Sequence, residues 1–247
     1  MRKLSPTKAI SHALNSVWTY RQVAARIAVP WLPALLICAI AQVYFGPPDP
    51  MADELTTPAL VQIVTSIVSI FVISAMSVSW HRFILLDEVS HGIRFDGNSR
   101  RYFGNYFLLL LAMAVPFLLA VLMLVLLPAA MTFVVPVLLL LWGAIMRLSV
   151  KLPAVALGNR DYTFRDAWAV TSGNFWPCLG VLVLNGLILF GGLLVLLLVA
   201  GTIAQVQPLV ADVFAMVASL VLQLAYAFIN ASVLTSLYGY FVERREF

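Results

Sequence analysis

Apolar residues run along this chain in long blocks, with polar residues gathered in the stretches between them. Several blocks approach the roughly 20 residues a helix needs to cross a hydrocarbon core. Six such spans can be drawn, at about 24–45, 58–81, 106–127, 130–152, 176–201 and 213–240. The uncharged run from Phe107 to Met146 is long enough for two crossings. Pro128 lacks an N–H and disfavours helix in the residue before it. A tight turn is therefore predicted at Leu127-Pro128-Ala129. The expected fold is an all-α integral membrane protein forming one domain over residues 1–247. Its six transmembrane helices are expected to pair as three hairpins.

Shorter elements are predicted between the spans. Residues 1–23 read as an amphipathic segment: Ser5 is a good N-cap, and Pro6 a good first helical residue. Ile10, Leu14, Val17 and Trp18 then share a face, with His12, Asn15 and Ser16 off it. Thr163 and Asp166 have the spacing of a capping box. Phe164, Trp168, Thr171 and Phe175 follow on one face, as in a helix lying at headgroup level. One phrase occurs twice, as Gly104-Asn105-Tyr106-Phe107 and as Gly173-Asn174-Phe175-Trp176. In both places it reads as a helix stop, a turn and an aromatic anchor before the next span. Three units are expected, each a cytoplasmic surface segment followed by a hairpin.

Composition strengthens the membrane reading. The chain is 62% hydrophobic and only 11% charged, where soluble domains average about 45–50% and about 25%. Mean hydropathy is +0.98. Charge then orients the threading. With six alternating crossings, all 15 lysines and arginines fall on one side. The opposite loops carry Asp49, Asp53, Glu54 and Asp212. Cations are retained in the cytoplasm, so both termini are expected there, in a bacterial inner membrane. The opening residues lack the compact apolar core and cleavage site of a secretory signal, so the N-terminus is expected to be retained. The net charge of +4 is scattered over several loops. It suits anionic lipid headgroups, not nucleic acid. Cys38 and Cys178 lie at different depths of this threading and are expected to be unpaired apolar filler.

Ionisable groups inside the spans are the default candidates for chemistry, and they are nearly absent. Arg147 and Lys151 come closest, at the inner end of the fourth span, and Arg82 follows the second. These three are candidate headgroup contacts, with Trp80 as an interfacial anchor. Uncharged polar residues form stripes: Gln62, Ser66, Ser69 and Ser77 in span two, and Ser219, Gln223, Tyr226 and Asn230 in span six. Asn185 stands before Gly186 in span five, with Gly191 and Gly192 further on. Asn185, Asn230, Gln223 and Gln62 are the candidate polar intramembrane positions, for interhelix hydrogen bonds or a polar pathway. Asp87, Glu88 and His91 have helical spacing but read as a solvated helix end, so no metal is expected. Nucleophile triads, phosphate-binding glycine loops and paired carboxylates at depth are missing from the sequence, and no cofactor is expected.

Trp80-His81-Arg82, Arg147, Leu152-Pro153 and the stretch Phe164-Arg165-Asp166-Ala167-Trp168 carry a resemblance. Over residues 74–176 the chain resembles uncharacterised multi-pass inner-membrane proteins of alphaproteobacteria. These are similar to the membrane portion that accompanies some glycerophosphodiester phosphodiesterases. The resemblance implies the six-pass layout. It implies no hydrolase activity, because no phosphodiesterase domain is present, and it supplies no catalytic residues. The expected function is therefore non-enzymatic: a scaffold or assembly partner of another membrane protein. The alternative is a small-solute or lipid transporter or channel using the polar stripes of helices two, five and six.

Overall fold

The computed structural model describes residues 3–49, 54–89, 92–93, 95–126 and 131–246, and within them it is built of helices. In chain order these are α1 (Pro6–Thr19), α2 (Arg21–Ala28), α3 (Leu32–Phe45), α4 (Thr57–Leu86), α5 (Gly97–Leu126), α6 (Met131–Leu148), α7 (Lys151–Ala156), α8 (Phe164–Val170), α9 (Phe175–Ala204) and α10 (Pro208–Phe241). A 3₁₀ turn, Val29–Trp31, links α2 to α3. Six helical stretches are long and apolar enough to cross a membrane: Arg21–Phe45, Thr57–Leu86, Gly97–Met123, Thr132–Ala156, Phe175–Ala204 and Pro208–Phe241. The predicted turn at Leu127-Pro128-Ala129 lies outside the described residues, as do Arg2, Asp53, His91 and Arg94.

Local signals explain where several helices start. Pro6 opens α1 behind Ser5, whose backbone is extended. Thr163 and Asp166 form the expected capping box of α8, with Thr163 Oγ1 accepting from the Asp166 N–H at 3.2 Å. Gly173, at φ +75°, ends the turn after α8, and α9 begins beyond Asn174. The first copy of the repeated phrase behaves differently. α5 starts at Gly97 and passes through Gly104 and Asn105 without a break. The expected stop there is overturned. Asp96 already starts the helix by accepting from the Ser99 N–H and hydroxyl, at 2.8 and 3.0 Å. Asn105 Nδ2 then donates to the Arg101 carbonyl at 2.8 Å, within the helix. The second correction is at span four, where helix geometry lapses at Ser149–Val150 and resumes as α7.

The long helices are closed at one end and open at the other. The C-terminal ends of α4, α6 and α10 meet the N-terminal ends of α5 and α9 in two buried clusters that also include residues of α1, α2, α7 and Trp31 of the 3₁₀ turn. Thus the buried residues of α4 fall almost entirely between Val72 and Phe83, and most of those of α10 between Ala227 and Phe241. The remaining halves expose large apolar side chains, such as Ile63, Leu118, Phe133, Phe190 and Leu197. α9 and α10 run antiparallel, and a Cβ on Gly192 would stand 2.7 Å from Leu222 Cδ1. Around Gly186 and Gly191 the space is open, so of these three only Gly192 serves a close approach.

α1 is a crossbar over the closed end. The Leu4 N–H donates to Asn174 Oδ1 at 2.9 Å, and Pro6 abuts Gly180 of α9. Further along, His12 reaches Ser236 of α10, and Tyr20, just past the helix, meets Phe83 of α4 edge to face. Fourteen residues of helix span about 21 Å, enough to cross three helices set about 8–10 Å apart. Ala9, Ile10 and Ala13 are the residues α1 buries. The expected apolar face is thereby divided: Ile10 is inside, while Leu14 and Trp18 are 38% and 72% exposed.

Candidate functional site

The closed end holds a polar layer built from one stripe of α10. Ser232, Thr235 and Ser236 lie within about one helical turn of each other. Each bonds a ring from another element. Trp80 Nε1 donates to Ser232 Oγ at 2.7 Å. His81 Nδ1 lies 2.7 Å from Thr235 Oγ1, and its Nε2 lies 3.1 Å from the Tyr102 hydroxyl of α5. His12 Nδ1 lies 2.9 Å from Ser236 Oγ. Trp80 and His81 are fully buried.

The His81 contacts form a hydrogen-bonded chain with two proton arrangements. In one, Tyr102 donates to Nε2, Nδ1 donates to Thr235, and Thr235 donates to the Ala231 carbonyl at 2.8 Å. In the other, Thr235 donates to Nδ1 and Nε2 donates to Tyr102. The two differ in the tautomer of the ring.

The same α10 stripe walls a pocket of about 80 Å³, with His12, Ser16, Arg245 and Glu246 also lining it. Several waters fit such a volume. The chain beyond α10 folds back beside it: the Arg245 N–H donates to the Gly239 carbonyl at 2.9 Å, and Arg244 takes a left-handed backbone, φ +58°. Partial burial pulls His12 below its ordinary value of 6.5.

A second polar group joins α9 to α10. Asn185 Nδ2 donates to the Tyr226 hydroxyl at 3.2 Å and to Asn230 Oδ1 at 3.3 Å. Asn185 is 2% exposed, yet its Oδ1 has no hydrogen-bond partner. Turning the amide over exchanges the two atoms and still leaves one facing no partner. Asn185 and Asn230 are thus brought together. Gln62 is not: it is exposed near the start of α4. Gln223 is half-buried on α10, and no described hydrogen bond links it to Asn185. The polar pair of the α3–α4 interface is instead Gln42 Nε2, donating to Thr65 Oγ1 at 2.8 Å.

The three candidate headgroup cations are all engaged by the protein. Arg147 is buried, with Nε donating to Thr171 Oγ1 at 2.9 Å and Nη2 to the Trp168 carbonyl at 2.8 Å. Its guanidinium lies 3.7 Å from the Trp168 ring centre, and Lys151 Nζ lies 4.0 Å from that of Phe164. The aromatic face of α8 is therefore docked on these two cations. Arg82 pairs with Glu88 and donates to the Ala156 carbonyl at 3.1 Å. Of the Asp87, Glu88 and His91 group, Asp87 ends α4 in a left-handed conformation. No group of three or more His, Cys, Asp or Glu among the described residues has the arrangement to hold a metal. Cys38 and Cys178 are both buried and unpaired.

Sequence reasoning missed the His81 layer. The apolar pattern ends span two at His81, with Trp80 as an interfacial anchor. α4 continues to Leu86, and both rings point into the protein. The available signal was the Ser-x-x-Thr-Ser stripe at 232–236, which supplies hydroxyls at one-turn spacing in an otherwise apolar run. No protein-family model matches the chain, and no curated protein or solved structure shows significant similarity to it.

Proposed function

We propose that this is a multi-pass integral membrane protein with a non-enzymatic role, a scaffold or assembly partner for another membrane protein. The observation that carries this reading is how its inward polar groups are used. Asn185 of α9 bonds Asn230 and Tyr226 of α10, and Trp80 and His81 bond hydroxyls of α10. Such bonds fix helices against helices, at roughly 0.6–2 kcal/mol each in a membrane. The open end meanwhile offers apolar grooves, one between α3 and α4 around Ala34, Cys38 and Val61, another between α5 and α6 around Pro116 and Phe133. A partner's membrane helix is the occupant these surfaces suit.

The proposed setting is a bacterial inner membrane, with three hairpins and both termini in the cytoplasm. The convergence of alternate helix ends supports it, because those ends carry Arg82, Arg100, Arg101, Arg147, Lys151 and Arg244. Reporter fusions at Asp53 and Ala204 should read as periplasmic, and those at Asn98, Arg160 and the C-terminus as cytoplasmic. One reversed reporter overturns the threading.

A carrier for a small solute or lipid is the second reading, and the unpartnered Asn185 Oδ1 favours it. Labelling separates the two. In native membranes Asn185→Cys and Asn230→Cys should resist a water-soluble maleimide while Asn98→Cys reacts. Labelling of both Asn185→Cys and Asn230→Cys would replace the scaffold by the carrier.

A further inference from the structure

The crossbar α1 has two unlike flanks. One carries Leu14 and Trp18 and, with Ile10, forms an open groove of about 520 Å³ against Leu184 of α9. Leu184 lies one turn further along α9 than Gly180, where Pro6 makes contact, so the groove faces the open, apolar half of the bundle. The other flank carries Lys8, His12 and Thr19 and faces the converging chain ends, where His12 lines the pocket with Arg245 and Glu246. A helix with large apolar side chains on one flank and polar ones on the other, lying across a bundle, has the geometry of one set at a water–hydrocarbon boundary.

A cation stands at the end of the apolar flank. The Arg21 guanidinium lies 5.3 Å from the centre of the Trp18 ring, and Nη1 donates to the Trp18 carbonyl at 3.0 Å. Arg21 is exposed, and its other N–H groups have no partner among the described residues. A guanidinium fork matches the oxygens of a phosphodiester.

We propose that this groove and Arg21 form a binding site for one anionic phospholipid. An acyl chain lies along Leu14, Trp18 and Leu184, which it covers from water or from looser lipid. The phosphate sits on Arg21, and the Ser11 hydroxyl and Asn15 amide on the groove wall serve the ester and glycerol oxygens. Bound there, the lipid ties the crossbar to α9. The proposal rests on the membrane reading above.

The test uses the full chain in vesicles, with brominated phosphatidylglycerol or brominated phosphatidylcholine as the quencher of tryptophan emission. Subtracting the Trp18→Phe signal isolates Trp18 from the other five tryptophans. Half-quenching of Trp18 should need about threefold less brominated phosphatidylglycerol than phosphatidylcholine, a ratio typical of an exposed charge pair. Arg21→Gln should abolish the difference, and Arg21→Lys should keep part of it. Equal quenching by both lipids in the unaltered chain, or a preference unchanged in Arg21→Gln, overturns the lipid site alone. Failure of the chain to float with vesicles overturns the membrane reading, and the site with it.

Discussion

His81 Nδ1 and Thr235 Oγ1 stand 2.7 Å apart, across 154 residues of sequence and between two helices. The ring's other nitrogen meets Tyr102, so one buried imidazole joins α4, α5 and α10. His81→Ala would leave a cavity and remove the partner of the Tyr102 hydroxyl. A loss of about 2–4 kcal/mol is expected. Tyr102→Phe alone should cost about 1 kcal/mol, and the double variant should fall short of the sum by a similar amount. Denaturant titration in detergent measures all three. An additive cycle would show that the two rings do not act together.

The Asn185–Asn230 pair makes a weaker link. Alanine at either position should cost 1–2 kcal/mol, and the coupling between them should lie within roughly 0.6–2 kcal/mol. Gln62→Ala, on the exposed start of α4, should stay within about 0.5 kcal/mol of the parent. The same titration gives the ranking. A Gln62 effect as large as that of Asn185 would contradict the arrangement of the helices.

Arg147 holds α8 by geometry as well as by charge. Lysine keeps the charge but loses the planar fork that bonds Thr171 and the Trp168 carbonyl while lying on the indole. Arg147→Lys should therefore recover less than half of the destabilisation caused by Arg147→Ala. That loss is expected near 3 kcal/mol, from charged hydrogen bonds and a desolvated cation–π contact. The emission of Trp168, compared with a Trp168→Phe background, reports α8 leaving its place. Full recovery by lysine would reduce the role of Arg147 to charge.

The capping box gives α8 a pH dependence of known sign. Hydrogen bonds from the Thr163 hydroxyl and N–H hold the Asp166 carboxyl below its ordinary 3.8. The folded value is thus below the unfolded one, and the unfolded chain takes up the proton first. The cap's contribution is complete above about pH 4 to 5 and is lost as pH falls through the folded value. Trp168 emission should be steady from pH 7 to about 4 and change below that. In Asp166→Asn this component should be absent. An unchanged acid transition in that variant would place its origin elsewhere.

What could be read from the chain itself was short in range. Apolar block length gave six candidate spanning helices; Ser5-Pro6, Thr163 with Asp166, and Gly173 gave starts and stops. Each of these signals acts through neighbours within one or two turns, so its physics is complete in the local sequence. The Asn185 and Asn230 amides stood out because polar groups in apolar runs seek one another. Which partners the other polar groups would take was decided only in three dimensions. Gly-Asn before two aromatics interrupts the chain at 173–174 and runs straight through at 104–105, because Asp96 had already started that helix. Arg147 and Lys151, expected among headgroups, found the aromatic face of α8. Trp80 and His81, at the end of a run that looked ready to meet lipid, turned to the hydroxyls of α10. An apolar side chain is satisfied by another helix or by lipid alike, so hydrophobicity alone does not choose between them. The choice is made where an interior donor must find an acceptor, and that depends on which helices lie side by side.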